Sequence, residues 1–163
     1  MRTASTPSRA TPNHPAEATD AITLLTEDHE SIKAMFSQYA ALGERAIITK
    51  KRLATQICAE LTKHVTAEEE IFYPALLAAG KDQQELVDEA IVEHASAMTL
   101  IEQILDMAPT EHLFDAKIKV LSELIEHHVK EEESEMFPQA RKAGLDLMLL
   151  GQQIAERKAE ITV

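Results

Sequence analysis

The chain has 163 residues, 45% of them hydrophobic and 27% charged, which suits one domain with a single good core. A formal charge of −12 repels phosphate and argues against nucleic acid and anionic membranes as partners. A single cysteine, Cys58, excludes an internal disulfide, no apolar run approaches the ~20 residues of a membrane span, and the N-terminus lacks a signal-peptide stretch, so a cytoplasmic protein is expected.

Gly and Pro are scarce, and Ala, Glu, Leu and Lys are abundant, which favours helix over sheet. Residues 1–19 hold Pro7, Pro12 and Pro15 among Ser, Thr and Ala without periodicity, and read as a disordered tail. A first helix is expected over about 20–42. Its stripe is Ile22, Leu25, His29, Ile32, Phe36 and Tyr39, and Gly43 ends it. A second runs over about 44–73 with Ile57, Leu61, His64, Glu68 and Ile71 in line, until Pro74 interrupts its hydrogen bonding. The third starts at Asp82, where Asp82-Gln-Gln-Glu85 reads as a capping box. It carries Val87, Ala90 or Ile91, His94, Ala97, Ile101 and Leu105 on one face. The fourth covers about 111–137, aligning Phe114, Ile118, Leu121, Ile125, His128, Glu132 and Glu135 or Met136. Residues 145–160 form a shorter helix that covers the bundle through Leu147, Leu150 and Ile154, with Gly151 against the trend. Short connections make neighbours antiparallel. The expected fold is an all-α, up-down-up-down four-helix bundle over 20–143, with 144–163 as C-terminal helix and tail.

The sequence also repeats itself. HVTAEEEIFYP, from His64 to Pro74, recurs as HVKEEESEMFP from His128 to Pro138. Each copy carries His-x-x-x-Glu, and four residues are about one helical turn, so each His lies beside its Glu on one face. His29 precedes His64 by 35 residues and His94 precedes His128 by 34, so the second helix pair looks like a duplicate of the first.

His29, His64, Glu68, His94, His128 and Glu132 all occupy core positions. A buried carboxylate without a partner is costly, and the four stripes offer no Lys or Arg. A bound cation could neutralise them. Imidazole mixed with carboxylate suits iron, manganese, cobalt or zinc, whereas calcium and magnesium prefer all-oxygen shells. A lone His on an apolar stripe is more often a hydrogen-bonded core residue, and runs such as Glu68–Glu70 are more often solvated. Six such residues in a duplicated arrangement favour a two-metal site. His14, His112 and His127 fall outside the pattern, and His127 should point away.

This ordered set, with Asp28-His29-Glu30, Glu93-His94 and the two Glu-Glu-x-x-x-x-Pro tails, resembles the hemerythrin-like (HHE cation-binding) domain family over about residues 20–143. The resemblance implies a non-haem di-iron centre. His29 and His64 would hold one iron, His94 and His128 the other, and Glu68 and Glu132 would bridge them with an oxo, hydroxo or water ligand. Met98 stands where oxygen-carrying members have a fifth His, and His128-x-x-x-Glu132 replaces their His-x-x-x-x-Asp. An open metal position, and sensing or detoxification of oxygen, peroxide or nitric oxide, are therefore expected ahead of oxygen transport. Glu60, one turn before His64, is a further candidate ligand. The alternatives are a peroxide-consuming metalloenzyme and a metal-stabilised regulatory or interaction module.

Overall fold

The computed structural model describes residues 19–163, so the expected tail lies outside the described residues apart from Thr19. Helix α1 spans Ala21–Ala40, α2 Ile47–Ala67 and α3 Tyr73–Ala79, followed by α4 at Gln84–Asp106, α5 at Phe114–Glu131, α6 at Phe137–Lys142 and α7 at Leu147–Glu160. α1 pairs with α2 and α4 with α5, while contacts of α2 with α4 and of α1 with α5 close the ring. This is the expected all-α bundle, up-down-up-down, with α7 laid against α1 and α2.

The ends follow local chemistry. Asp20 caps α1 by accepting hydrogen bonds from the backbone N–H groups of Ile22 and Thr23, and Asp146 caps α7 through Leu149. The capping box expected at Asp82 is not formed. Lys81–Gln83 make a 3₁₀ turn, and α4 starts at Gln84 without a side-chain cap. α1 stops at Ala40, three residues before Gly43.

Pro74 does not break its helix. Between α2 and α3 the chain widens into a π turn, Glu68–Phe72, closed by the Tyr73 N–H donating to the Glu68 carbonyl. Proline lacks an N–H and its ring crowds the carbonyl four residues back, so a wider turn just ahead of it accommodates the loss. The duplicate does the same: the π turn Glu132–Met136 joins α5 to α6 ahead of Pro138. The extra residue shifts the register. Phe72 therefore takes the buried position expected of Ile71, and Met136 rather than Glu135 faces inward. On α4, Ala90 and Ile104 are buried, while Ile91 and Leu105 are exposed.

The core is split in two. Ile32, Phe36, Leu53, Ile57, Leu61, Ile101 and Leu121 fill one end. Leu25, Phe72, Tyr73, Leu76, Val87, Phe137, Leu150 and Ile154 fill the other. The four stripe histidines and two glutamates lie on the helices between these plugs, all buried. One buried cation escaped the stripe reading. Lys50, two turns before Ile57, is 6% exposed and donates to Asp115, which also accepts from the Tyr39 hydroxyl. Fourteen residues of helix put Lys50 about 21 Å from His64, too far to neutralise the glutamates.

Candidate metal centre

Each histidine comes from a different long helix: His29 from α1, His64 from α2, His94 from α4 and His128 from α5. Glu68 and Glu132 open the two π turns, one turn beyond His64 and His128. The six side chains converge. Nε2 of His29 lies 3.1 Å from Nε2 of His64, and Nε2 of His94 lies 3.1 Å from Nε2 of His128. Glu68 spans the two pairs, with Oε1 3.2 Å from His64 and Oε2 3.4 Å from His94. Oε2 of Glu132 sits 3.3 Å from His29 and 3.4 Å from His128.

The outer face of every imidazole is held by a carboxylate. Nδ1 of His29 contacts Glu133 at 2.9 Å, and Nδ1 of His94 contacts Glu69 at 3.0 Å. Nδ1 of His64 contacts Asp28 at 3.2 Å, and Nδ1 of His128 contacts Glu93 at 2.9 Å. The pattern is two-fold: Asp28 matches Glu93, and Glu69 matches Glu133. An Nδ1–H donated outward leaves Nε2 as the inward lone pair, the tautomer that suits a metal ligand.

Two facing lone pairs at 3.1 Å repel unless positive charge lies beside them. Both oxygens of Glu68 and Oε2 of Glu132 are buried and accept no hydrogen bond, although histidine nitrogens lie near. Such groups are expensive to bury. Without a metal, protons are drawn in instead. Burial alone would depress the histidines, but the Glu68 charge and Asp28 outweigh it at His64, pushing it up to about 10. Glu132 does the same for His128, pushed up to about 9. Burial would raise Glu132, yet His128 and His29 hold it well below the usual carboxylate range. One proton on each imidazole pair supplies two donors for three buried carboxylate oxygens, Glu68 Oε1 and Oε2 and Glu132 Oε2. The donor set therefore fits a cation: His29, His64, Glu68 and Glu132 form one cluster of potential ligands, and Glu68, His94 and His128 another.

Some residues near this layer were not singled out from the sequence as part of it. Asp28, Glu69, Glu93 and Glu133 carried a readable signal, because each pair occupies the same offset from a stripe residue in both copies. Tyr73 carried none. Its hydroxyl donates to Glu132 Oε1 at 2.8 Å and lies 3.3 Å from His94 Nε2, whereas its counterpart Phe137 only stacks on the His29 ring. Burial, then the charges of Glu68 and Glu132, raise the Tyr73 phenol well above its ordinary value and keep it protonated. Glu60 turns to Lys63 at 3.1 Å and is half-exposed, away from the layer. His112 is exposed, and His127 points outward as expected. A groove of about 660 Å³ between α1 and α5 reaches His29 and Glu133, flanked by Thr26, Lys33 and Ser122.

A helical bundle with a buried, duplicated layer of imidazole and carboxylate has the makings of a cation-binding protein. The hemerythrin HHE cation-binding domain matches residues 20–140, and the chain belongs to that family. It is similar to a crystal structure of a hemerythrin HHE cation-binding domain-containing protein from Mycobacterium kansasii, with a TM-score of 0.73 and 24% identity over 87% of this chain and 86% of that one. It is also 30% identical over 116 residues to a protein of Nostoc sp. named DNA nickase. That match covers 70% of this chain and 31% of the relative, so the chain spans about a third of the Nostoc protein's length.

Proposed function

We propose that the protein binds two iron ions and reacts through them with a small ligand, oxygen, peroxide or nitric oxide, in sensing or stress response. The observation that carries this reading is the orphaned, buried oxygen set of Glu68 and Glu132 between two imidazole pairs. His29 and His64 would hold one ion and His94 and His128 the other. Two neighbouring cations repel, and Glu68 and Glu132 each span the halves to offset that. Bound iron supplies redox chemistry and open coordination positions. Asp28, Glu69, Glu93 and Glu133 fix the ring orientations and raise ligand basicity. The apolar plugs exclude bulk water from both ends of the layer, and the groove at His29 gives a small ligand a way in from the side. The mixed nitrogen and oxygen donors favour iron, manganese or zinc over calcium or magnesium. Nucleic-acid cleavage is not part of this reading, because a chain of charge −12 repels phosphate.

Iron loading with metal analysis and an absorption spectrum tests it. Wild type should take up two irons per chain and show an oxo-bridge charge-transfer band. Glu68→Ala or His128→Ala should lose two-ion loading; either variant retaining both would refute the assignment.

Tyr73 favours a second reading, a peroxide-consuming enzyme. Its hydroxyl is a buried proton donor at Glu132, placed to hydrogen-bond a ligand at that half of the layer. Tyr73→Phe should then lower peroxide turnover at least tenfold while iron content stays constant. Equal turnover in the variant removes this reading.

A further inference from the structure

His127 stands one residue before His128 and faces the other way. Its side chain is 58% exposed, yet it is engaged on both nitrogens. Nδ1 lies 2.9 Å from Glu93 Oε1, and Nε2 lies 3.6 Å from Glu131 Oε1. His127 and Glu131 thus make a third His-x-x-x-Glu pair, offset by one residue from His128 and Glu132 on α5. Glu93, from α4, completes the set. Its Oε1 faces His127 and its Oε2 holds His128 Nδ1, so one carboxylate connects the surface to the buried layer. Glu93, His127 and Glu131 each offer a ligand atom, all within 4.8 Å of one another.

The two-fold relation of the halves shows what this arrangement replaces. Glu93 corresponds to Asp28, and both Asp28 oxygens are neutralised by Lys158 from α7. α7 packs chiefly on α1, α2 and the first π turn. His127 corresponds to Lys63, which turns to Glu60, and Glu131 corresponds to the buried Ala67. The first half therefore sets a fixed ammonium against its carboxylate and has no chelating set. The second half has the chelating set and, among the described residues, no Lys or Arg paired with Glu93 or Glu131.

We propose that Glu93, His127 and Glu131 form an outer cation site for a divalent transition-metal ion, which supplies beside Glu93 the positive charge that Lys158 supplies beside Asp28. One imidazole and two carboxylates, with water in the remaining positions, suit zinc or manganese. The site stands on its own ligands and does not depend on which metal fills the buried layer.

Zinc is the probe. The full chain, first saturated with iron, is dialysed against rising zinc and both metals are counted per chain. Wild type should bind one more zinc than His127→Ala and Glu131→Gln, with the iron count the same in all three. Both substitutions are at the surface, and circular dichroism checks that the variants fold. Equal zinc in wild type and both variants would overturn the proposal. A Glu68→Ala chain separates this from the buried centre: it should lose iron loading and keep the His127-dependent zinc. Zinc lost in Glu68→Ala but retained in His127→Ala would place the extra ion in the buried layer and likewise overturn the proposal.

Discussion

Glu68 is wholly buried and its carboxylate accepts no hydrogen bond, so the positive charge near it must come from an imidazolium or from a bound cation. That choice sets the pH behaviour of the metal-free protein. His64 is pushed up to about 10 and His128 up to about 9, against an ordinary imidazole near 6.5. A group with a raised folded value binds its proton more tightly when folded. Its stabilisation is complete below about 6.5 and is lost as pH rises through about 9 to 10. Thermal melts of metal-free protein should therefore show a falling midpoint between pH 8 and 10, with no such fall in loaded protein. Metal and proton also compete for the same nitrogens, so loading should weaken steadily from pH 7 to pH 5. Affinity unchanged over that range would contradict the role given to these histidines. Cys58 takes no part. It is buried, and burial pushes its thiol up to about 11, so it should resist alkylation at pH 8 until the chain unfolds.

At the scale of the element, two positions show the backbone overriding propensity. Gly151 sits inside α7, where glycine is a poor helix former. A Cβ there would lie 2.1 Å from the Thr19 carbonyl oxygen and 2.9 Å from the Ala21 nitrogen, because α7 crosses the start of α1 in close contact. Gly151→Ala should therefore destabilise by ~1–3 kcal/mol despite its better propensity, as overpacking does. A thermal midpoint at or above wild type would show that α7 can move away at no cost. Leu113 is the opposite case. It precedes α5 at φ +79°, in the left-handed region, and its side chain is exposed. Leu113→Gly should relieve about 1 kcal/mol of strain and raise the midpoint by roughly 2–4 °C. The two π turns belong to this scale as well. Each places a glutamate inward at its first residue and returns an aromatic side chain, Tyr73 or Phe137, to the layer five residues later. A strict 3.6-residue period cannot show this. It aligned Ile71 with the stripe, although Phe72 is the residue that is buried.

Across the whole molecule, the polar layer divides an apolar core that would otherwise be continuous. A cation that binds the folded layer and not the unfolded chain stabilises the fold by mass action, by ~4 kcal/mol at a thousandfold excess over its dissociation constant. Calorimetry should show the midpoint rising with metal concentration and falling on chelation. A midpoint indifferent to metal would mean that the layer is satisfied by protons alone. α7 breaks the two-fold relation. It ties Arg157 to Glu70 and Lys158 to Asp28, both beside the first half of the layer, and leaves the second half open to solvent at His127.

The sequence by itself determined the helical class, the bundle order and the six core positions with the wrong chemistry for a core. It could do so because apolar spacing is a local property, and the His-x-x-x-Glu pairs repeat at a fixed interval. The family resemblance already implied that Glu68 and Glu132 span the halves; only the tertiary structure decided which of their oxygens meet which rings and that four outer carboxylates hold those rings. It alone showed that Tyr73, unlike Phe137, brings a hydroxyl to the layer. These depend on distances between helices far apart in the chain, and on two wide turns that shift the register. Spacing along one helix says which residues share a face; which atoms meet across the bundle is settled by how the faces pack.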